Sequence, residues 1–325
     1  METILRSFIV ASVLMFGSTL STHVLAQAAG KRVAVFMGPT QDKYLGTWSK
    51  TFSDSAGALG MKVTVFSSPF DAALQSQQID DAIAQKYDLL VVQTLSQKAI
   101  LPPLTRAKGA KIPVLLIVSP LVAPEGQELY VSFVGYDHSK VGQSAGESMA
   151  KAIGRSGAKV AIVAGSMAEG IAPIRAEAFK AAVSKVGIEV VAVEDAKWNP
   201  ANAERMAGQL LARFGAQGGL DGIYGMNDIM ANGVIQAAEA AGVKLGNAKG
   251  QLVVVGGNCQ APGVKNLEAG KMVASVSQLP VEEGKLAAAR VKDLFDGKTL
   301  EKQIYITPEA VTKDNLAKFG APCSY

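Results

Sequence analysis

The residues able to do chemistry sit at recurring places, just past short apolar runs. Asp42, Lys43 and Tyr44 follow the first run, with Trp48 one turn on, and Gln93-Thr94 and Val118-Ser119 follow later ones. Farther along stand Gly165-Ser166, Trp198, Asn227-Asp228, Asn258-Cys259 and Gln278. Asn and Gln side chains each carry a donor and an acceptor, as a hydroxyl does, and an indole offers an apolar face with an N–H at its edge. Together they suit a neutral, many-hydroxyl molecule. Each has a local alternative: Asn227-Asp228 before an apolar stretch is also a good helix cap. Singly, cap and ligand contact weigh evenly; recurrence in both halves of the chain favours contact.

The same residues do not assemble a catalytic or metal site. Past residue 26 the chain has one histidine, His138, and no nucleophile-elbow sequence for a Ser-His-Asp triad. His138 is expected at the surface or in a linker. No His, Cys or carboxylate cluster has metal-ligand spacing, so no metal is expected. Val255-Gly256-Gly257-Asn258 places glycines after a strand but lacks the dinucleotide fingerprint and the Lys-Ser/Thr of a phosphate loop. Neither a cofactor nor an enzymatic activity is expected.

The elements that position these residues alternate. Apolar strands are predicted at 31–37, 61–66, 88–92 and 113–118, with helices at 44–59, 72–85 and 97–108. The rhythm breaks at the Pro/Gly-rich stretch 120–127, and a strand is expected at 129–134. It then restarts, with helices at 141–153, 171–186, 201–214 and 229–241 between strands at 159–163, 188–193, 222–224 and 252–255. Near-continuous apolar strands with short connections predict α/β architecture: two similar doubly wound parallel sheets covered by helices. In such sheets ligands lie outside the carboxyl ends of the strands, which is where the polar residues above fall.

Residues 1–26 look like an export signal: Arg6, an apolar run over 8–16, and a small-x-small ending at Val24-Leu25-Ala26. That predicts a soluble periplasmic protein of about 300 residues after cleavage, enough for two domains. With 49% hydrophobic and 18% charged residues the chain is globular. The net charge of +4 is spread in mixed sign, without Lys/Arg clusters interleaved with aromatics, so nucleic acid is not an expected partner. Cys259 and Cys323 can pair in an oxidising compartment, but spacing alone leaves the bond open.

Three segments carry a resemblance: Tyr224-Gly225-Met226-Asn227-Asp228, Val253-Val254-Val255-Gly256-Gly257-Asn258 and Ser275-Val276-Ser277-Gln278-Leu279-Pro280. In their order and spacing the chain, over 31–308, resembles the periplasmic sugar-binding proteins of the ribose-binding type, the type I substrate-binding subunits of ABC importers. The resemblance implies that Asn227 and Gln278 bind ligand, that Trp198 stacks on it, that Tyr44 and Leu45 form a first-lobe pair preceded by the polar Asp42, and that Gln93 stands where the ribose binder has Asn. Ser119 and Asn258 occupy further ligand positions. There are departures. The ribose binder's Asp-Arg pair is Val118-Ser119 here, its second-lobe Arg is Pro173 while Arg175 matches a neighbouring structural arginine, and its Asp and the aromatic before it are Asn258 and Gly257. With the charged clamps missing, a less densely hydroxylated neutral sugar or short polyol fits better than ribose.

The resemblance further implies lobes of 28–135 with 279–307 and of 138–277 with 308–325, joined by crossings near 135–137, 278 and 306–309. Ligand would bridge the lobes and close the hinge, and an ABC permease in the inner membrane would transiently recognise the closed monomer. The alternative is a periplasmic sensor presenting that form to a chemoreceptor or sensor kinase.

Overall fold

The computed structural model describes residues 27–320, 322–323 and 325. The expected export signal, 1–26, lies outside them. Among the described residues no helix is long and apolar enough to cross a membrane.

Two six-stranded sheets make up the molecule. The first contains β1 (Arg32–Met37), β2 (Lys62–Ser67), β3 (Leu89–Val92), β4 (Val114–Ile117), β5 (Ser132–Tyr136) and β11 (Gln303–Ile306), in the order β11-β5-β4-β3-β1-β2. The second contains β6 (Lys159–Ala164), β7 (Glu189–Asp195), β8 (Gly222–Gly225), β9 (Val253–Asn258), β10 (Ala274–Ser277) and β12 (Ala310–Val311), in the order β12-β10-β9-β8-β6-β7. All pairings are parallel except β12 against β10. β3, β4, β8 and β10 are buried along their whole length, as strands covered on both faces must be.

The helices are α1 (Lys43–Ala58), α2 (Ala72–Ala84), α3 (Leu101–Gly109), α4 (His138–Ile153), α5 (Ile171–Ser184), α6 (Pro200–Gly215), α7 (Asp228–Ala240), α8 (Ala261–Glu268), α9 (Pro280–Phe295) and α10 (Leu316–Phe319). Several begin on the polar residues that follow strands. The carboxylates of Asp42, Asp71 and Asp137 accept backbone N–H bonds at the starts of α1, α2 and α4, and the Asn227 amide oxygen does so at α7.

The chain passes between the sheets three times: after β5, after β10 and after β11. The first two crossings are tied together, since the Leu279 backbone N–H donates to the Tyr136 hydroxyl at 2.7 Å. α9 returns from the second sheet to pack on α1 of the first.

Most expected elements stand within two residues of their places; four differ, among them β9, which runs three residues past the expected 255 to Asn258. The segment expected as a strand at 129–134 begins with a 3₁₀ turn over Pro124–Leu129, and β5 runs two residues farther, because β11 extends the pairing to Ile306 with Tyr136. α4 starts at His138 rather than 141, since Asp137 caps it. α3 starts at Leu101, past a turn in which Ser96 Oγ accepts the Ala99 N–H.

Candidate functional site

A narrow cleft with a cavity of about 60 Å³ lies between the carboxyl ends of the two sheets. Its first-sheet wall is made by Asp42, Tyr44, Leu45, Phe70, Gln93 and Val118. The opposite wall is made by His138, Glu169, Ile171, Arg175, Trp198, Asn227, Asn258 and Gln278. The walls touch. Trp198 packs against the apolar cores of both sheets, Ile171 from α5 is buried in the first-sheet core, and the Gln97 N–H reaches the Ala168 carbonyl at 3.5 Å.

Of the nine residues expected to bind ligand, eight are in the cleft. Ser119 is not: it is fully buried behind Val118. Val118 has φ +56°, a left-handed turn that brings the Val118 side chain to the cleft and takes the hydroxyl after it away. His138, expected at the surface, is 3% exposed and lines the cleft. It is drawn inward because α4 begins there and α5 packs closely on α4: a Cβ on Gly142 would lie 2.2 Å from the Arg175 carbonyl. Trp48 is a core residue stacked on Phe52 at 5.1 Å, away from the cleft.

On the first wall each polar group has its own support. The Asp42 carboxylate accepts from Leu45 N–H at 3.0 Å, and burial raises its pKa. Gln93 Oε1 accepts from Gly38 N–H at 3.0 Å, which leaves its amide N–H groups for the cleft. The Tyr44 hydroxyl donates to Glu283, a fully buried carboxyl that burial pushes up to about 7. The Tyr44 hydroxyl is thus engaged by protein, and its ring lines the cleft.

On the second wall His138, Gln278 and the Met226 carbonyl form one network centred on the Arg175 guanidinium. It donates to the Met226 carbonyl at 3.0 Å, to Gln278 Oε1, and to His138 Nδ1 at 3.1 Å. Arginine can only donate, so Nδ1 is the acceptor and the imidazole proton sits on Nε2, which donates to the Val118 carbonyl on the first wall at 2.7 Å. Burial first, and then the guanidinium, push His138 down to about 3, so the ring is neutral. The relay Val118–His138–Arg175–Gln278 therefore runs from the first wall to the crossing after β10.

Trp198 has φ +57° after Lys197 at +52°. Its ring lies on Gly165, where a Cβ would come within 2.1 Å, so only glycine admits the indole there. The indole N–H donates to Glu169 Oε2 at 2.8 Å. Burial pushes Glu169 up to about 8, so near neutral pH the carboxyl is largely protonated. Its Oε1, like Asn258 Oδ1, is buried without a protein partner. Asn227 is both cap and cleft residue: its oxygen accepts Met230 N–H at 2.8 Å, and its amide N–H groups remain free to donate.

The sequence reading missed Phe70, Glu169 and Ile171. Glu169 and Ile171 stand five and seven residues past the end of β6, beyond the strand-end positions inspected, and Phe70 is an apolar residue in a loop. One signal that the structure adds is backbone strain. Of the eight non-glycine residues with left-handed φ among those described, four, Phe70, Val118, Trp198 and Asn258, line the cleft. Cys259 does pair with Cys323, with Cα atoms 4.9 Å apart, fixing the backbone beside Asn258. No group of three metal-ligating side chains occurs among the described residues.

A family model for the periplasmic binding protein domain matches residues 33–299. The chain is 30% identical to the D-allose-binding periplasmic protein of Escherichia coli, over 93% of this chain and 95% of that protein. It is 25% identical to the ribose import binding protein of Haemophilus influenzae, over 93% and 97%. The solved periplasmic ribose ABC transporter structure from Conexibacter woesei superposes with a TM-score of 0.77 at 25% identity, covering 92% of this chain and 99% of that one.

Proposed function

Because the chain belongs to the periplasmic binding protein family, we propose that it captures a neutral sugar or short polyol in the cleft between its sheets and hands it to an ABC permease. The observation that carries this reading is the cleft wall itself: Trp198, Tyr44 and Leu45 offer apolar faces, while Gln93, Asn227, Asn258 and Gln278 offer amides, within one site. Such a lining pairs alternating C–H faces and hydroxyls. The relatives named for allose and ribose support the ligand class.

The residues proposed to touch ligand are Asp42, Tyr44, Leu45, Gln93, Trp198, Asn227, Asn258 and Gln278, joined by Glu169. With Oε2 accepting from Trp198, the Glu169 proton sits on Oε1, a donor without a protein partner that a ligand oxygen would satisfy. Arg175 spends its donors on protein and holds the wall in place. Lobes of 28–135 with 279–307 and of 138–277 with 308–325 close as a monomer in the periplasm, and the bound molecule leaves chemically unchanged. Ligand contacts on both walls exist together only in the closed form, so binding favours closure by that differential affinity.

A thermal-denaturation panel of sugars and polyols tests this. A ligand at a hundredfold excess over Kd stabilises the native state by about 2.7 kcal/mol. Stabilisation by a neutral sugar or polyol, lost in Trp198→Ala, is the expected result; stabilisation by none of the panel overturns the ligand class.

A further inference from the structure

Behind the cleft, Cys323 and Tyr325 connect the cores of the two sheets. Cys323 is bonded to Cys259, and both cysteines are fully buried in the second-sheet core. Two residues on, the Tyr325 ring packs against the first-sheet core and meets Tyr44 edge to face, with centroids 6.2 Å apart. Its hydroxyl lies 3.0 Å from the Asn258 carbonyl and 3.1 Å from the Gln278 carbonyl. A hydroxyl has one proton, so a single donor is shared by two carbonyls that belong to two cleft residues.

The geometry points to Tyr325 as a positioning residue: a strut, anchored by the Cys259–Cys323 bond, that braces Tyr44, Asn258 and Gln278 from behind and favours the closed arrangement of the lobes. Three observations converge on this. Tyr325 is absent from the cleft surface yet touches three residues that form it. Its anchor lies in one lobe and its ring on the core of the other. And Asn258 and Cys259 hold consecutive left-handed φ values, +85° and +60°, a backbone state that persists only where the surroundings fix it. The disulfide and the shared hydroxyl are two such fixings, and Cys259 N–H donating to Ser275 Oγ at 3.0 Å is a third. Gln278 is also the residue at which the chain crosses between sheets, so a bond to its carbonyl acts where the hinge turns.

The test needs no ligand, so its failure is distinct from failure of the proposed function. The chain has two tryptophans, Trp48 in the first-sheet core and Trp198 in the cleft, and 5-fluorotryptophan labelling of the full chain gives one ¹⁹F signal from each. In the unliganded Tyr325→Ala variant the Trp198 signal is expected to move toward the solvent-exposed position, with a larger radius of gyration in small-angle scattering, while the Trp48 signal stays. Cys259→Ser/Cys323→Ser should behave alike. Tyr325→Phe keeps the ring and loses the shared proton, and should raise the open population about fivefold, the equivalent of one hydrogen bond. A Trp198 signal and radius of gyration identical in wild type, Tyr325→Phe and Tyr325→Ala overturn the proposal. So does a Tyr325→Phe variant in which both tryptophan signals move together, which marks general loosening.

Discussion

The two walls of the cleft are built on different principles. On the first, Asp42, Gln93 and Tyr44 each rest on a separate partner, and removing one leaves the others supported. On the second, His138, Gln278 and the end of β8 all hang on one buried guanidinium, and the strained turn at Trp198 depends on Gly165 and Glu169. A wall of separate supports tolerates change piecemeal. A connected buried network fails as a unit, because each lost member strands polar groups that have no water to turn to. The second wall is also where the tail is fastened, so closure and wall integrity are coupled there.

The contrast is broken most severely at the disulfide. Cys259 and Cys323 are 64 residues apart, and opening a loop of that length costs about 4 kcal/mol by loop-closure entropy. Cys259→Ser/Cys323→Ser should lower the free energy of unfolding in urea by about that amount. No single replacement on the first wall, such as Gln93→Ala, should approach it.

Next is Gly165→Ala. The added methyl, 2.1 Å from the indole, must push Trp198 out of place, at a cost of about 2 kcal/mol in ligand affinity, or about thirtyfold in Kd. Calorimetric titration with the best ligand from the panel reads it.

The pH dependence follows. The Glu169 pKa is raised from 4.5 to about 8 in the fold, so the folded state holds the proton more tightly. Its contribution is full below 4.5 and is lost as pH rises toward 8, at up to about 1.4 kcal/mol per pH unit. Asp228 and Glu283, both raised to about 7, act in the same direction. His138 acts oppositely: lowered from 6.5 to about 3, it withdraws stability as pH falls below 6.5. Urea midpoints measured across pH should fall toward the alkaline side, and Glu169→Gln should flatten that fall.

The smallest expected effect is the sharpest test of the comparison. A double-mutant cycle on His138→Asn and Gln278→Ala, which share Arg175, should show about 1 kcal/mol of coupling, whereas Asp42→Ala with Gln93→Ala should be additive within about 0.5 kcal/mol. Equal coupling on both walls would remove the distinction.

How legible each part was in the sequence follows from the same physics. The strands and most helices were readable because their signals are local: apolar runs such as Leu89-Leu90-Val91-Val92, and caps such as Asp42 and Asn227 directly before a helix. The cleft residues just past strand ends were readable because topology fixes where those ends point. His138 and Ser119 were misplaced because their positions depend on long-range or backbone-specific facts: the close approach of α4 and α5, and the left-handed turn at Val118. Glu169 escaped notice because a lone acid in a loop looks solvated until a tryptophan 29 residues away bonds to it. The pairing of Cys259 with Cys323 could not be read from spacing, since spacing says nothing of the distance between Cα atoms.

The measurement that bears most directly on the whole account is a crystal structure of the protein grown with the most stabilising sugar or polyol of the panel. The account places that molecule between the two walls, against Trp198 and within reach of Asn227, with every bond intact. Density for it at any other surface, or for a chemically altered product in the cleft, would contradict it.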